Sequence, residues 1–275
     1  MREQASMIQE TAAGVANRTS PITSWQDFNR VSDNGRPTLL NRLARYPEAV
    51  LVTGCQRSGT TMLTQILLES DGLTDYRFGR DSELDGALIL SGIVDHNPAG
   101  RYCFQTTYLN DRYNEYFENG RFQMIWLLRN PASVVHSMLH NWGGYKPDRL
   151  FLSCGAQSIR GLDRWRYKLF GLKGLSLLRR ACWGYNGKTM QVFELYKRLG
   201  PSVMMIVDYD ELVLHKQRLL PRVFEFLGLT FKPEYLHKIR STSLAKKLNF
   251  TKRQLRLIEK LSGSVYRRAR RYRTV

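Results

Sequence analysis

One stretch limits what this chain can fold into more than any other. Ala49-Val50-Leu51-Val52 is a short β-branched run that leads into Gly54-Cys55-Gln56-Arg57-Ser58-Gly59-Thr60-Thr61. An apolar run of this kind predicts a strand buried on both faces of a parallel sheet. The residues from Thr60 to Glu69 predict a helix. Strand, glycine loop and helix in that order make an anion cradle. Successive backbone N–H groups turn toward one anion, and the helix N-terminus adds partial positive charge. The outline is that of a phosphate-binding loop, with one change: Thr60 stands where a lysine would follow the second glycine. A nucleoside-triphosphate enzyme needs that lysine on the β- and γ-phosphates. Here the fixed positive charge is Arg57, inside the loop.

The rest of the chain extends the pattern. Tyr102 to Thr106, Phe122 to Leu128 and Val203 to Val207 read as further buried strands. Helices are expected over Pro131 to Leu139, Arg179 to Leu199, Leu219 to Leu227 and Lys252 to Tyr272, with a short one over Thr38 to Arg45. Strands alternating with helices predict an α/β fold, a P-loop-type central parallel sheet flanked by helices. Residues 1–36 are polar and predict a poorly ordered arm, followed by a single domain over 37–275. Residues 141–175 match neither period and predict an insertion or mobile lid. Residues 252–275 predict a basic helix or tail.

Composition narrows the partners. Lys and Arg number 42 against 24 Asp and Glu, a net charge of +18. That field favours an anionic partner: a phosphorylated cofactor, a polyanion or an acidic membrane surface, with nucleic acid disfavoured. Four cysteines without a CxxC pair predict buried or free thiols rather than a zinc site or disulfide framework. His136 and His140 share a helix face but lack a third ligand, so no metal is expected. The N-terminus does not read as a signal peptide. The expected location is cytoplasmic, with peripheral membrane contact as an added option through the basic Tyr266–Arg273 stretch.

A second stretch joins the first. Leu127-Leu128-Arg129-Asn130-Pro131 leaves a strand, and Ser137 follows Arg129 by eight residues on the next helix. Arg129 can meet a phosphate as a fork and Ser137 can donate a hydroxyl hydrogen bond, although Arg-Asn-Pro taken alone reads as a turn. Together the two stretches resemble the sulfotransferase family, which uses 3′-phosphoadenosine 5′-phosphosulfate (PAPS). Val203 to Leu212, with Tyr209, and Phe224 to Leu229 are also similar to it. The resemblance implies that Gln56, Arg57, Ser58, Gly59, Thr60 and Thr61 hold the 5′-phosphosulfate. It likewise implies that Arg129 and Ser137 hold the 3′-phosphate and that Tyr209 lies near the adenine. PAPS would be the co-substrate, PAP the product, and no metal would be needed.

The chain departs from the cytosolic small-molecule branch. Met62 stands where that branch has Trp, and Gln105-Thr106-Thr107 where it has Lys-Thr-His with a catalytic histidine. This places it nearer the carbohydrate or tyrosyl-protein branch, where a glutamate is the base. The candidates are Glu83 first and Asp81 second, with Asp85 and His96 behind them. In an extended segment Asp81, Glu83 and Asp85 share a face; in a helix they diverge. The acceptor expected is a hydroxyl on a carbohydrate, another natural product or an anionic polymer. The alternatives are a kinase-like phosphoryl transferase and a non-catalytic basic module that binds nucleotide or polyanion.

Overall fold

Every residue of Ala49–Gly54 is buried, as its unbroken apolar run requires, and the sheet is built outward from it. A computed structural model describes residues 22–33, 38–79, 81–118, 120–142, 146–240 and 248–274. The elements that position the site are α1 (Trp25–Asp33), β1 (Ala49–Gly54), α2 (Thr60–Leu68), α3 (Ser82–Leu90), β2 (Cys103–Gln105) and β3 (Phe122–Leu128). Then come α4 (Pro131–Ser137), α5 (Lys146–Leu150), α6 (Gly161–Phe170), α7 (Leu177–Leu199) and β4 (Met204–Asp208). The chain closes with α8 (Tyr209–Leu214), α9 (Lys216–Leu227), α10 (Lys252–Ile258) and α11 (Ser264–Arg270).

The four strands lie in the order β2-β1-β3-β4, all parallel. β1 pairs with β2 from Val50 to Val52 and with β3 from Ala49 to Gly54. Helices cover the sheet, so its strands are apolar on both sides, as expected of parallel sheets. The ends of β1, β2, β3 and β4 deliver Gly54, Gln105, Leu128 and Asp208, the usual place for a ligand in such folds.

Three expectations need correction. Residues 22–33 of the polar arm are not loose: α1 is helical, and Phe28 is buried among Trp25 and Tyr108. Its polar surroundings hid a single aromatic anchor. Residues 1–21 and 34–37 lie outside the described residues. The short helix over Thr38 to Arg45 is confined to one turn, Leu43–Arg45.

The segment expected to be an insertion or mobile lid matches no period in the sequence, yet it is largely helical, comprising α5, α6 and π-helical turns at Met138–Trp142 and Phe151–Gly155. Each π-turn resets the 3.6-residue period, which is why no single periodicity fits. The segment packs tightly on α7: a Cβ at Gly187 would overlap the backbone of Cys154.

The C-terminal basic run is tied to the sheet along one side, while Arg267, Arg268, Arg271 and Arg273 stay exposed. Arg270 pairs with Asp208 at 2.9 Å and Glu211 at 2.8 Å, Tyr266 donates to Asp208 at 3.0 Å, and the Thr274 amide donates to the Ile206 carbonyl at 2.9 Å. The run thus closes the outer edge of the sheet beside β4. All four cysteines are free and buried, and burial pushes Cys154 and Cys182 up to about 12. No helix among the described residues is long and apolar enough to cross a membrane.

Candidate active site

The turn after β1 has positive φ at both Arg57 and Gly59. Gly59 has φ +95°, and a Cβ there would overlap the ring of Tyr209. Arg57 itself takes φ +72°, and its side chain reaches Ser137. The Ser58 amide closes the turn on the Cys55 carbonyl at 3.1 Å. Gln56, Arg57, Gly59, Thr60 and Thr61 line a cleft of about 570 Å³. Ser58 does not: its side chain is buried, and its hydroxyl has no hydrogen-bond partner among the described residues.

Arg129, at the end of β3, enters the same cleft. Its Nη1 donates to the Arg57 carbonyl at 3.1 Å, and its guanidinium lies 4.3 Å from the centre of the Tyr209 ring. Asp210 approaches it only to 3.9 Å, and Nε of Arg129 has no hydrogen-bond partner among the described residues. Ser137, two turns into α4, accepts from Arg57 Nε at 2.9 Å. The helix starts where the sequence requires: Asn130 caps it by accepting from the Ala132 amide at 2.8 Å, and Pro131 takes the first turn. Two guanidiniums thus converge without a carboxylate between them. Burial and the charge of Arg129 both lower the Arg57 pKa. The arrangement fits an anion of more than one charge. Tyr209 is not on the cleft wall; it is buried beneath Arg129 and Gly59, supporting both.

The opposite wall carries a carboxylate. The segment that contains the three acidic candidates is helical from Ser82, so their side chains diverge. Asp81 is the N-cap of α3: it accepts from the Glu83 amide at 3.1 Å and from Trp25 Nε1 at 3.1 Å. Asp85 is fully buried and accepts from the Phe78 amide at 3.0 Å, a structural role. Glu83 lines the cleft and accepts from Gln105 Nε2 at 2.9 Å and from the Thr107 hydroxyl. Burial raises its pKa to about 7 against the lowering effect of the Thr107 bond. A carboxyl poised there exchanges a proton at neutral pH. His96 is remote from this wall. It packs edge-on against Tyr102, and its neighbour Asp95 pairs with Arg45 at 2.8 Å. The rings of His136 and His140 lie 4.4 Å apart, tilted to each other, beside Phe250, and no metal-holding group of His, Cys, Asp or Glu occurs among the described residues.

Residues 101–267 match the family model for the sulfotransferase domain. The chain belongs to the sulfotransferase family. The matched stretch includes Arg129, Ser137 and Tyr209, whereas the glycine loop and Glu83 precede it. Among solved structures this sulfotransferase is similar to mouse sulfotransferase SULT7A1 complexed with PAP. Identity is 13%, the TM-score is 0.51, and 85% of this chain and 93% of that one are covered. It is also similar to the sulfotransferase domain from the curacin biosynthetic pathway, at 18% identity and TM-score 0.48, covering 74% of this chain and 81% of that one. Sulfotransferase STF9 from Mycobacterium avium follows at 12% identity and TM-score 0.43, covering 86% and 80%. These are likenesses of fold. No curated protein matches the sequence.

One buried residue behind the cleft escaped the sequence reading. Lys188 of the sulfotransferase is fully buried on α7, and its ammonium donates to the Leu109 carbonyl at 3.1 Å. Burial lowers its pKa to about 8. Gln191, one turn on, donates to the Asn110 carbonyl. Gln56 of the glycine loop donates to the Thr107 carbonyl and to Asn110 Oδ1, each at 2.9 Å. The turn at residues 107–110 therefore ties α7, the glycine loop and the Glu83 wall together. The available signal was a lysine within the buried stripe Tyr185, Lys188, Val192, Leu195, whose spacing is that of a helix core.

Proposed function

We propose that this sulfotransferase moves a sulfuryl group from PAPS to a hydroxyl of a carbohydrate or other natural product, with Glu83 as the general base. One observation carries the reading. The Arg57 and Arg129 guanidiniums face a single cleft, and on its other wall stands a carboxyl held near 7. The donor fits the residues present. The unpartnered Arg129 Nε and the two converging cations suit a doubly anionic nucleotide, and a Cβ at Gly59 would disturb the turn that receives it.

Gln56, Arg57, Gly59, Thr60 and Thr61 are assigned to the 5′-phosphosulfate, and Arg129 with Ser137 to the 3′-phosphate. Ser58 contributes through its backbone, and Tyr209 carries Arg129 rather than the adenine. When bound, PAPS supplies the sulfuryl group, whose bond to the 5′-phosphate breaks as the acceptor oxygen bonds to sulfur. Arg57 and the loop amides stabilise the charge that develops on the sulfonate and the bridging oxygen. Glu83 takes the acceptor proton, and the hydroxyl of Thr107 keeps its carboxylate turned into the cleft. Asp81 holds the first turn of α3 and so fixes the base from behind.

The acceptor end of the cleft supports a polar, ring-shaped substrate. Trp25, Tyr108 and Trp142 offer flat apolar faces, while Asn29, Asp111 and Arg112 offer hydrogen-bonding groups. A kinase-like reaction is disfavoured by Thr60 in place of the loop lysine. The test is transfer from radiolabelled PAPS to a pooled acceptor panel, with thermal shift by PAP and by ATP-Mg in parallel. Stabilisation by PAP alone, with label moving to a hydroxyl, is expected. Stabilisation by ATP-Mg with label transfer absent overturns the assignment.

A further inference from the structure

Helix α6 (Gly161–Phe170) has two faces of opposite character. The inner one is locked. Asp163 is buried, pairs with Arg179 at 2.6 Å and accepts from Trp183 Nε1 at 3.0 Å. Tyr167, one turn on, packs edge-on against Phe151 at 5.3 Å. With those two residues held inward, the helix has one possible orientation. Its outer face then presents Leu162, Trp165 and Leu169, at spacing i, i+3 and i+7, with Phe170 beside them. Their exposures are 61%, 61%, 55% and 61%.

A helix of a soluble domain turns such a stripe toward its core. Here the stripe faces out, and the inner face is spent on a buried ion pair. Four large apolar side chains of one ten-residue helix therefore form a contiguous exposed patch, the usual mark of an interaction surface.

The charges around the patch identify what it meets. Arg164 and Lys168 on the same helix are exposed, as are Arg160 before it and Lys173 after it. The helix's single acidic residue, Asp163, is turned inward and neutralised. The rim is therefore wholly cationic. Aromatic and aliphatic side chains on the outside, with long cationic side chains beside them, suit an interfacial helix. The rings enter the headgroup region, and the lysines and arginines reach to anionic headgroups. The C-terminal basic run lacks this arrangement, because Arg267, Arg270 and Arg273 are paired with Glu259, Asp208 and Glu211.

We infer that α6 is a membrane-docking helix that seats this protein on an anionic bilayer surface through Leu162, Trp165, Leu169 and Phe170. The surface lies apart from the residues assigned to sulfuryl transfer, so docking and catalysis are separable by mutation.

The experiment is co-sedimentation of the full chain with sonicated vesicles of phosphatidylcholine alone or mixed with phosphatidylglycerol. Binding to the mixed vesicles and little to the neutral ones is expected. The double variant W165E/L169E should weaken binding at least about tenfold, and R164E/K168E should weaken it comparably at low salt. Both variants should keep PAP affinity and far-ultraviolet circular dichroism, since all four side chains are exposed. Three results overturn the inference: no binding to the mixed vesicles, binding untouched by W165E/L169E, or a dimer of the free protein that W165E/L169E converts to monomer. The last would mean that a second copy of the chain covers the patch.

Discussion

The Thr107 hydroxyl at the end of the second strand donates to the carboxylate of Glu83 on the helix that begins at Ser82. The bond turns one carboxylate oxygen toward the wall and leaves the group on the cleft, where burial holds it near 7.

Glu83→Gln keeps the shape and removes the proposed base. Single-turnover transfer should fall about 10²–10⁴-fold, with PAP affinity unchanged. Asp81→Asn should lose far less, because Asp81 acts as a cap. Asp85→Asn should lower the melting temperature rather than act on chemistry, since Asp85 is a buried acceptor. Equal transfer by Glu83→Gln and the native chain would move the base elsewhere.

The pH profile should follow the same carboxyl. Glu83 must be ionised to accept a proton, so transfer should rise with pH through about 7 and level off above it. Its folded pKa exceeds the ordinary carboxylate value, so the folded state holds the proton more tightly than the unfolded state does. Its ionisation therefore subtracts stability as pH rises from the ordinary carboxylate range to about 7. Glu83→Gln should melt higher than the native chain at pH 8 and close to it at pH 4. A stability difference of the opposite sign refutes the assignment.

Arg57→Ala removes the loop's cation, which donates to Ser137. Losing a charge partner in the transition state costs about 3 kcal/mol, roughly 10²-fold in rate. Alanine also relaxes little of the turn, so the fold should persist. Near-native transfer by this variant would show that the loop does not act on the reacting group.

Arg129→Ala separates the two phosphate positions. It should weaken PAP by about 2–5 kcal/mol and adenosine 5′-phosphosulfate, which lacks the 3′-phosphate, much less. Calorimetric titration of both ligands checks this. Equal weakening would make Arg129 a structural prop for Tyr209 and the Arg57 carbonyl.

Lys188→Met tests the tether between α7 and the site. Lys188 favours the ionised form of Glu83 and holds the Leu109 carbonyl. Its loss should move the midpoint of the pH–rate profile upward and lower the plateau. A purely packing role would lower the plateau without moving the midpoint.

The local sequence determined the anion cradle. A β-branched run, two glycines and a helix start are short-range requirements of one turn, and they occur together at Ala49–Thr61. The same holds for Arg129, Asn130, Pro131 and Ser137, whose spacing along one strand end and one helix sets their relation before any packing. Buried apolar runs likewise made the parallel sheet legible. Tertiary structure decided the rest. What sets Glu83 apart from Asp81 and Asp85 is a helix beginning at Ser82 and Thr107, which lies 24 residues away. Lys188 reaches the turn that carries Leu109 only because α7 passes beneath it. The π-turns masked the helices between Met138 and Phe170, and the inward hold of Asp163 and Tyr167 determined which face of α6 meets solvent. Burial, pKa and facing are properties of neighbours brought together by folding, and no local pattern contains them.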